Sequence, residues 1–353
     1  PCHNSVKLEA KYGMSANRFS TFKDTYHGLA LEGGSASVAN CASCHGVHNI
    51  KSSKDSTSTI HKSNLVKTCG SCHPGANENF TVGKIHVTLE KEDEPILYYI
   101  AFGYLLLIGV TIGGMFFHNF IDFARKSIIK KMKQRGLIKH EQHGHALYLR
   151  MSRNERIQHI SLVVSFMLLV ITGFMLRFPN AWWVVSIRNI SENAFELRSL
   201  IHRISAVVMV VASLYHIYYI LFVPRGKQLV RDLLPRLQDA KDAIGVVKFN
   251  LGLSSEKPKL DRFSYVEKAE YWALIWGTIV MTVTGFIMWF DNTFINLLSK
   301  LGWDIARTVH YYEAWLAFLS IVVWHFYFVL FNPDIYPMSL AWIKGTITEE
   351  EMA

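Results

Sequence analysis

The sequence predicts an all-α protein in two parts, a polar, loop-rich region over residues 1–94 and a bundle of five transmembrane helices over 95–353. Two observations carry this reading. Apolar residues make up 50% of the chain and aromatics 13%, too many for an ordinary water-soluble protein, and nearly all the excess lies beyond residue 94. The first 94 residues are rich in Ser, Lys, Asn and Thr, and too poor in aliphatic side chains to build a core alone.

In the N-terminal region the cysteines are the informative residues. Cys41-Ala42-Ser43-Cys44-His45 and Cys69-Gly70-Ser71-Cys72-His73 both read CxxCH. In that pattern two thiols bond to the vinyl groups of a haem, and the next histidine becomes an axial iron ligand. Two matches within 33 residues are a specific signal. Pro1-Cys2-His3 reads as the end of a third motif, so the natural chain is expected to continue upstream, with Cys2 and His3 serving another haem c. A zinc ribbon is the alternative for the same CxxC pairs. It needs no histidine after each pair, and it gives His27, His48, His61 and His86 no role. Those four are the candidate distal ligands, opposite His3, His45 and His73.

The helices follow from uncharged runs, since about 20 apolar residues span a hydrocarbon core. Five runs qualify: Ile96 to His118, Ile157 to Leu176, Ile204 to Phe222, Tyr271 to Phe290 and Ala314 to Phe331, the third and fifth starting a turn or so earlier. Residues 119–158 and 223–266 carry ten and nine Lys or Arg, whereas 179–199 and 291–306 carry two and one. The positive-inside rule puts the basic loops and the C terminus in the cytoplasm of a bacterial inner membrane, with the N-terminal region in the periplasm. The net charge of +9 is then a topology signal, not a nucleic-acid footprint. On the oxidising side, thiols that serve a cofactor are expected.

Runs three and five each carry two histidines, His202 with His216 and His310 with His325, 14 and 15 residues apart. At about 1.5 Å and 100° per residue, each step advances roughly 21 to 23 Å and returns within about 60° to the same face. Such pairs on facing helices make two stacked bis-histidine haem b sites, and ionisable groups inside a bilayer are usually functional. An internal repeat supports the pairing: "LVITGFMLRF" resembles "MTVTGFIMWF", and "HIYYILF" resembles "HFYFVLF". Runs two to five are thus two related hairpins forming a four-helix dihaem b core, and run one is a tether. In that alignment His202 matches His310, His216 matches His325, and His159 falls opposite Tyr271.

"ERIQHISLVVSFMLLVITG", "RSLIHR", "YVEKAEYWALIWGTIV" and "YPMSLAWIKGTITEEEM" resemble the dihaem cytochrome b subunits of membrane-bound formate dehydrogenases and hydrogenases, over residues 155–353. The plan of c haems fused to such a module is similar to the inner-membrane menaquinol-oxidising cytochromes of metal-reducing bacteria. The resemblance implies His202 with His310 at the outer haem b and His159 with His325 at the inner one. This chain departs by offering His216 as well, and its 15-residue step turns His325 off strict register. The repeat favours His216 as inner ligand, with His159 beside a quinone, and this is the expectation adopted.

The expected function is electron transfer between the quinone pool, two b haems and the periplasmic c haems, as a menaquinol or ubiquinol:cytochrome c type oxidoreductase. The alternative is a haem-bearing membrane anchor that wires a periplasmic dehydrogenase or reductase to the pool without substrate chemistry of its own. Expected partners are a quinol, periplasmic c-type cytochromes or an oxidoreductase, lipid and further membrane subunits. Glu313, one turn below His310, is expected to carry protons at the outer face, and His159, Glu267, Lys268, Glu270 and Tyr271 stand at the inner one. Arg203 and Arg307 are expected to bind haem propionates. Gly109 and Gly113 are expected at close helix contacts. His118, His140, His143 and His145 carry no assignment.

Overall fold

The structure, a computed structural model, describes residues 17–138, 146–191 and 193–348 together with Lys7 and Lys11. Cys2, His3, His140, His143 and His145 lie outside the described residues. Short helices α1 (Arg18–Lys23), α2 (Tyr26–Glu32), α3 (Cys41–His45) and α4 (Leu65–Gly70) occupy the N-terminal region. They are followed by α5 (Pro95–Gln134), α6 (Arg153–Arg177), α7 (Trp182–Ile190), α8 (Ala194–Phe222), α9 (Pro224–Asp232), α10 (Leu237–Asn250), α11 (Tyr265–Trp289) and α12 (Asp291–Ser320). The last of these runs on as π-helix over Ile321–His325 and Tyr327–Phe331, and α13 is Ala341–Lys344. Among the described residues five helices are long and apolar enough to cross a membrane: α5, α6, α8, α11 and α12 with its continuation. The chain is a multi-pass, all-α membrane protein, apart from a three-residue ribbon in which Leu147–Leu149 (β1) pairs antiparallel with Thr346–Thr348 (β2).

The sequence repeat is visible in how the helices begin. Ser152 N–H donates to Glu155 Oε2 at 2.6 Å and Glu155 N–H to Ser152 Oγ at 3.3 Å, a reciprocal cap on α6. Ser264 N–H likewise donates to Glu267 Oε2 at 2.9 Å at the start of α11. Along α12, Ser299 leaves the helix at φ 71° and caps the segment after it, its Oγ accepting from Gly302 N–H at 3.4 Å. The fifth span therefore starts well before residue 314, because the cap lies there.

The first span exceeds its expected length. Forty residues of α5 measure about 60 Å against a core of roughly 30 Å. Beyond His118 the helix persists because its polar side chains find partners. Asn119 Nδ2 donates to Val323 O at 2.6 Å, and Asp122 accepts from Tyr327 Oη at 2.7 Å and pairs with Lys126 at 2.8 Å. His118, buried, pairs with Tyr265 Oη at 2.6 Å. Helix α5 is thus bonded to the end of the fifth span and is more than a tether. A Cβ on Gly109 or Gly113 would meet nothing within 4 Å, so neither glycine serves the close helix contact expected of it.

By packing, the chain forms two compact units. One comprises Pro1–Gly103, Met167–Ala206 and Met281–Tyr312, and the other Tyr104–Phe166, Val207–Val280 and Glu313–Ala353. In the first, Met175, Val184 and Phe195 form a buried cluster with Trp183 and Ile187 packed on it. In the second, Arg150 and Met151 N–H both donate to Gly345 O. Gly345 sits at φ +85°, and a Cβ there would lie 2.6 Å from Met151 O, so this turn requires glycine.

Candidate functional site

His202 on α8 and His310 on α12 lie in the first unit as electrostatic neighbours. Each ring is held from the helix before it. His202 Nδ1 bonds Thr172 Oγ1 at 2.8 Å, and His310 Nδ1 bonds Thr284 Oγ1 at 2.9 Å. The Thr172 hydroxyl proton goes to Leu168 O at 2.6 Å, so its oxygen accepts from His202 Nδ1–H and leaves Nε2 with a free lone pair. That is the tautomer a metal-binding imidazole needs. Each threonine is followed by a glycine facing the same ring: a Cβ would come within 3.7 Å of His202 Cε1 at Gly173 and 3.4 Å of His310 Cε1 at Gly285. The "TGF" shared by the two halves of the repeat is therefore a histidine seat, a role that spacing alone does not assign.

In the second unit, the structure brings His159 and His325 together, with ring centres 6.4 Å apart. An iron about 2 Å from each of two imidazole nitrogens, with each ring centre about 1.1 Å behind its nitrogen, separates the centres by about 6.2 Å. His325 Nδ1 pairs with Glu270 Oε2 at 3.2 Å, whereas His159 Nδ1 and Glu270 Oε1 are buried without a hydrogen bond. The expected pairing of His216 with His325 is not what the structure assembles. Both nitrogens of His216 are engaged, Nδ1 by Gln158 Oε1 at 2.7 Å and Nε2 by the Tyr271 hydroxyl at 3.0 Å. The physical reason lies in the repeat: Gln158 and Glu270 are equivalent and each holds one histidine, but the next position is His159 in one half and Tyr271 in the other.

The register objection to His325 also finds its answer. A π turn takes one residue more than an α turn, so 15 residues across Ile321–His325 keep the helical phase of the 14-residue step on α8.

Two further ring pairs occur in the N-terminal region. His45 and His86 have centres 6.4 Å apart, and His27 and His73 6.2 Å. In each case the histidine of a CxxCH motif meets one of the spare histidines. His86 Nδ1 bonds Thr21 Oγ1 at 3.1 Å, and His73 Nδ1 donates to Asn292 Oδ1 at 2.7 Å. Burial, then His73, keeps His27 below the ordinary histidine range, and burial, then Arg18, does so for His86, which favours the neutral, ligating form. The first motif is wound as helix α3, capped by Asn40 and Ser43, which puts Cys41 and Cys44 on one face. Cys69, Cys72 and His73 repeat this turn, with Cys72 and His73 N–H both donating to Cys69 O. Cys41, Cys44, Cys69 and Cys72 form no disulfide, and burial pushes the Cys44 and Cys69 thiols up. Among the described residues no three His, Cys, Asp or Glu side chains could hold a metal ion, so each pair offers two nitrogens only. His48 is exposed, and His61 caps a turn through Ser63 Oγ at 2.7 Å.

The remaining candidates separate by what they touch. Glu313, 4% exposed, accepts from Tyr104 Oη at 3.0 Å, and a Cβ on Gly277 would lie 3.3 Å from its Oε1. Arg307 donates to Asp24 O at 2.5 Å and keeps a buried Nε without a partner, while Arg203 lies over the Trp289 ring at 5.4 Å. Glu267 is occupied by Arg150 at 2.6 Å and by its cap, and Lys268 by Asp239 at 2.6 Å.

Residues 80–236 and 150–340 match the family described as prokaryotic cytochrome b561. The chain is also 26% identical over 192 residues to the formate dehydrogenase cytochrome b556 subunit of Haemophilus influenzae, covering 54% of this chain and 70% of that protein.

Proposed function

Because the chain belongs to the prokaryotic cytochrome b561 family, and is a membrane electron-transfer subunit of that type, we propose that it connects the quinone pool to a redox partner outside the membrane. The b haems are assigned to His202 with His310 and to His159 with His325. Covalent c haems are assigned to Cys41, Cys44 and His45 with His86, and to Cys69, Cys72 and His73 with His27. The observation that carries this reading is the set of three histidine pairs with ring centres 6.2 to 6.4 Å apart, the separation a shared iron requires. Haem iron, when bound, supplies one-electron exchange, against the two electrons and two protons of a quinol.

The protein's own part is to seat and insulate. Thr172 and Thr284 fix the outer imidazoles, and Glu270 fixes His325. Arg307 keeps a free Nε for a propionate. Glu313, hydrogen-bonded to Tyr104, is a proton-holding group on the same helix as His310. The relative named for formate dehydrogenase favours a haem-bearing subunit that serves a periplasmic dehydrogenase or reductase. A second reading, direct quinol oxidation with delivery to soluble c-type cytochromes, is favoured by the His27–His73 and His45–His86 pairs, since an onward relay within the chain needs no enzyme partner.

Pyridine haemochrome analysis of the purified chain tests the cofactors: extractable b haem and acid-stable c haem are both expected, and absence of the covalent fraction overturns the c assignment. Reduction of the b haems by a quinol analogue without added partner supports the second reading, and no reduction until a partner is supplied supports the first.

A further inference from the structure

The two pairs in the N-terminal region are held differently. His27 stands on α2, and the residues just before it are gripped from both outer-histidine helices. Arg307, three residues before His310, donates to Asp24 O at 2.5 Å. Arg177 donates to Asp24 Oδ1 at 2.8 Å and lies over the ring of Tyr311, the neighbour of His310. Arg198, one turn before His202 and 6% exposed, lies within electrostatic reach of Tyr26, the neighbour of His27. The far end of α2 is clasped as well, since a Cβ on Gly33 would lie 2.0 Å from the Phe195 ring of α8. The partner histidine, His73, is tied to Asn292 at 2.7 Å, and Asn77 and Asn79 reach Asn296. For the other pair, His86 is held by Thr21, and Cys44 O accepts from Thr59, both within the N-terminal region, and the nearest tie to α12 is Leu301 N–H donating to Val82 O at 3.2 Å, nine residues before His310.

We propose that the His27–His73 pair, rather than His45–His86, is where the N-terminal region exchanges electrons with the His202–His310 site, and that the Arg198–Tyr26 and Arg307–Asp24 contacts set this junction. The inference rests on the reading of these histidines as axial ligands. With haem bound, His202 and His310 would hold the iron that gives up one electron and His27 and His73 the iron that takes it, so the first would be oxidised and the second reduced. No proton moves. Electron transfer falls steeply with the gap between centres, and side chains from both outer helices reach Asp24 and Tyr26, three residues and one residue before His27. The pair at His45 and His86 then stands later in the sequence. Arg198 and Arg307 also place positive charge beside the outer site, which favours its reduced form.

The test uses the full haem-loaded chain in detergent, reduced by menadiol, with the b and c α-bands followed by stopped flow and the low-spin signals by electron paramagnetic resonance. Methionine in place of one imidazole raises the potential of that haem and marks it spectroscopically. The expected result is that His27→Met changes the first phase of c-haem reduction at least fivefold more than His86→Met does. Arg198→Gln, which spares every ligand, is expected to slow that phase at least fivefold with haem content and low-spin signals retained. Equal or reversed effects of the two methionine variants overturn the order, and an unaltered rate in Arg198→Gln overturns the junction. Absence of covalent haem from the parent protein defeats the underlying reading instead, so the two failures are told apart.

Discussion

At the scale of single residues, the site depends on what stands behind each histidine. His216 and His159 are both histidines on membrane-spanning helices, and nothing in their spacing separates them. The difference is tertiary: Gln158 and Tyr271 close on both nitrogens of His216, while His159 faces His325 with its Nδ1 unpartnered. His159→Ala is therefore expected to abolish the low-spin inner b haem, and His216→Ala to retain it with a shifted potential. An optical redox titration of both variants decides, and the reverse pattern would restore the assignment favoured by the repeat. The threonines invite a second measurement. Thr284→Val removes the partner of His310 Nδ1 and should weaken outer haem retention by about 10- to 100-fold, as loss of a group supporting a metal ligand generally does. Gly285→Val should do more, because its Cβ starts 3.4 Å from the ring.

At the scale of elements, much was legible. The five spans were readable because a bilayer imposes one coarse length, and the hairpin repeat because it recurs in the threonines that hold His202 and His310. The extension of α5 to Gln134 was not, since residues 119–134 look like a solvated basic loop until Val323, Tyr327 and Asp122 are seen together. Nor was the π turn, because one surplus residue between His310 and His325 reads on paper as a loss of register. It leads to a deletion experiment. Removing Val322, 39% exposed, should let Ile321–His325 revert to α-helix and keep both b haems. Removing Ile321 and Val322 together should rotate His325 by about 100° and lose the inner one. Equal haem contents in the two deletions would show that the π turn does not set the phase.

The whole molecule joins a soluble-looking region to a membrane bundle, and the connection carries a testable charge. Lys84 and the Thr88 backbone hold the Asp93 carboxyl down to about 2 at the turn before α5. The unfolded chain thus binds this proton more readily than the folded one. The contribution to stability is full above about pH 4 and fades as the pH falls through about 2. Asp93→Asn should lower the unfolding temperature of the haem-loaded protein near neutrality, with the gap from the parent closing towards about pH 2. A gap that stays constant with pH would assign the effect to something other than this carboxylate. The basic loops alone carry the expected orientation, with residues 223–266 in the cytoplasm. A cysteine at Lys257 is expected to react with a membrane-impermeant maleimide in inverted vesicles and not in intact cells.

Tyr271 occupies the place that His159 holds in the other hairpin, and donor and acceptor there have become a closed pair with His216. A homodimer of the first hairpin would present two identical sets of inner ligands competing for overlapping space. Tyrosine at the second copy of this position avoids that competition, because it leaves one ring facing His325 and occupies His216. The repeat is kept at Thr172 and Thr284, each of which holds one histidine, and is broken in the second unit, where His159 comes from the first helix of one half and His325 from the second helix of the other. The first unit repeats one arrangement twice, whereas the second carries a further histidine, His216, half-buried and hydrogen-bonded through both ring nitrogens.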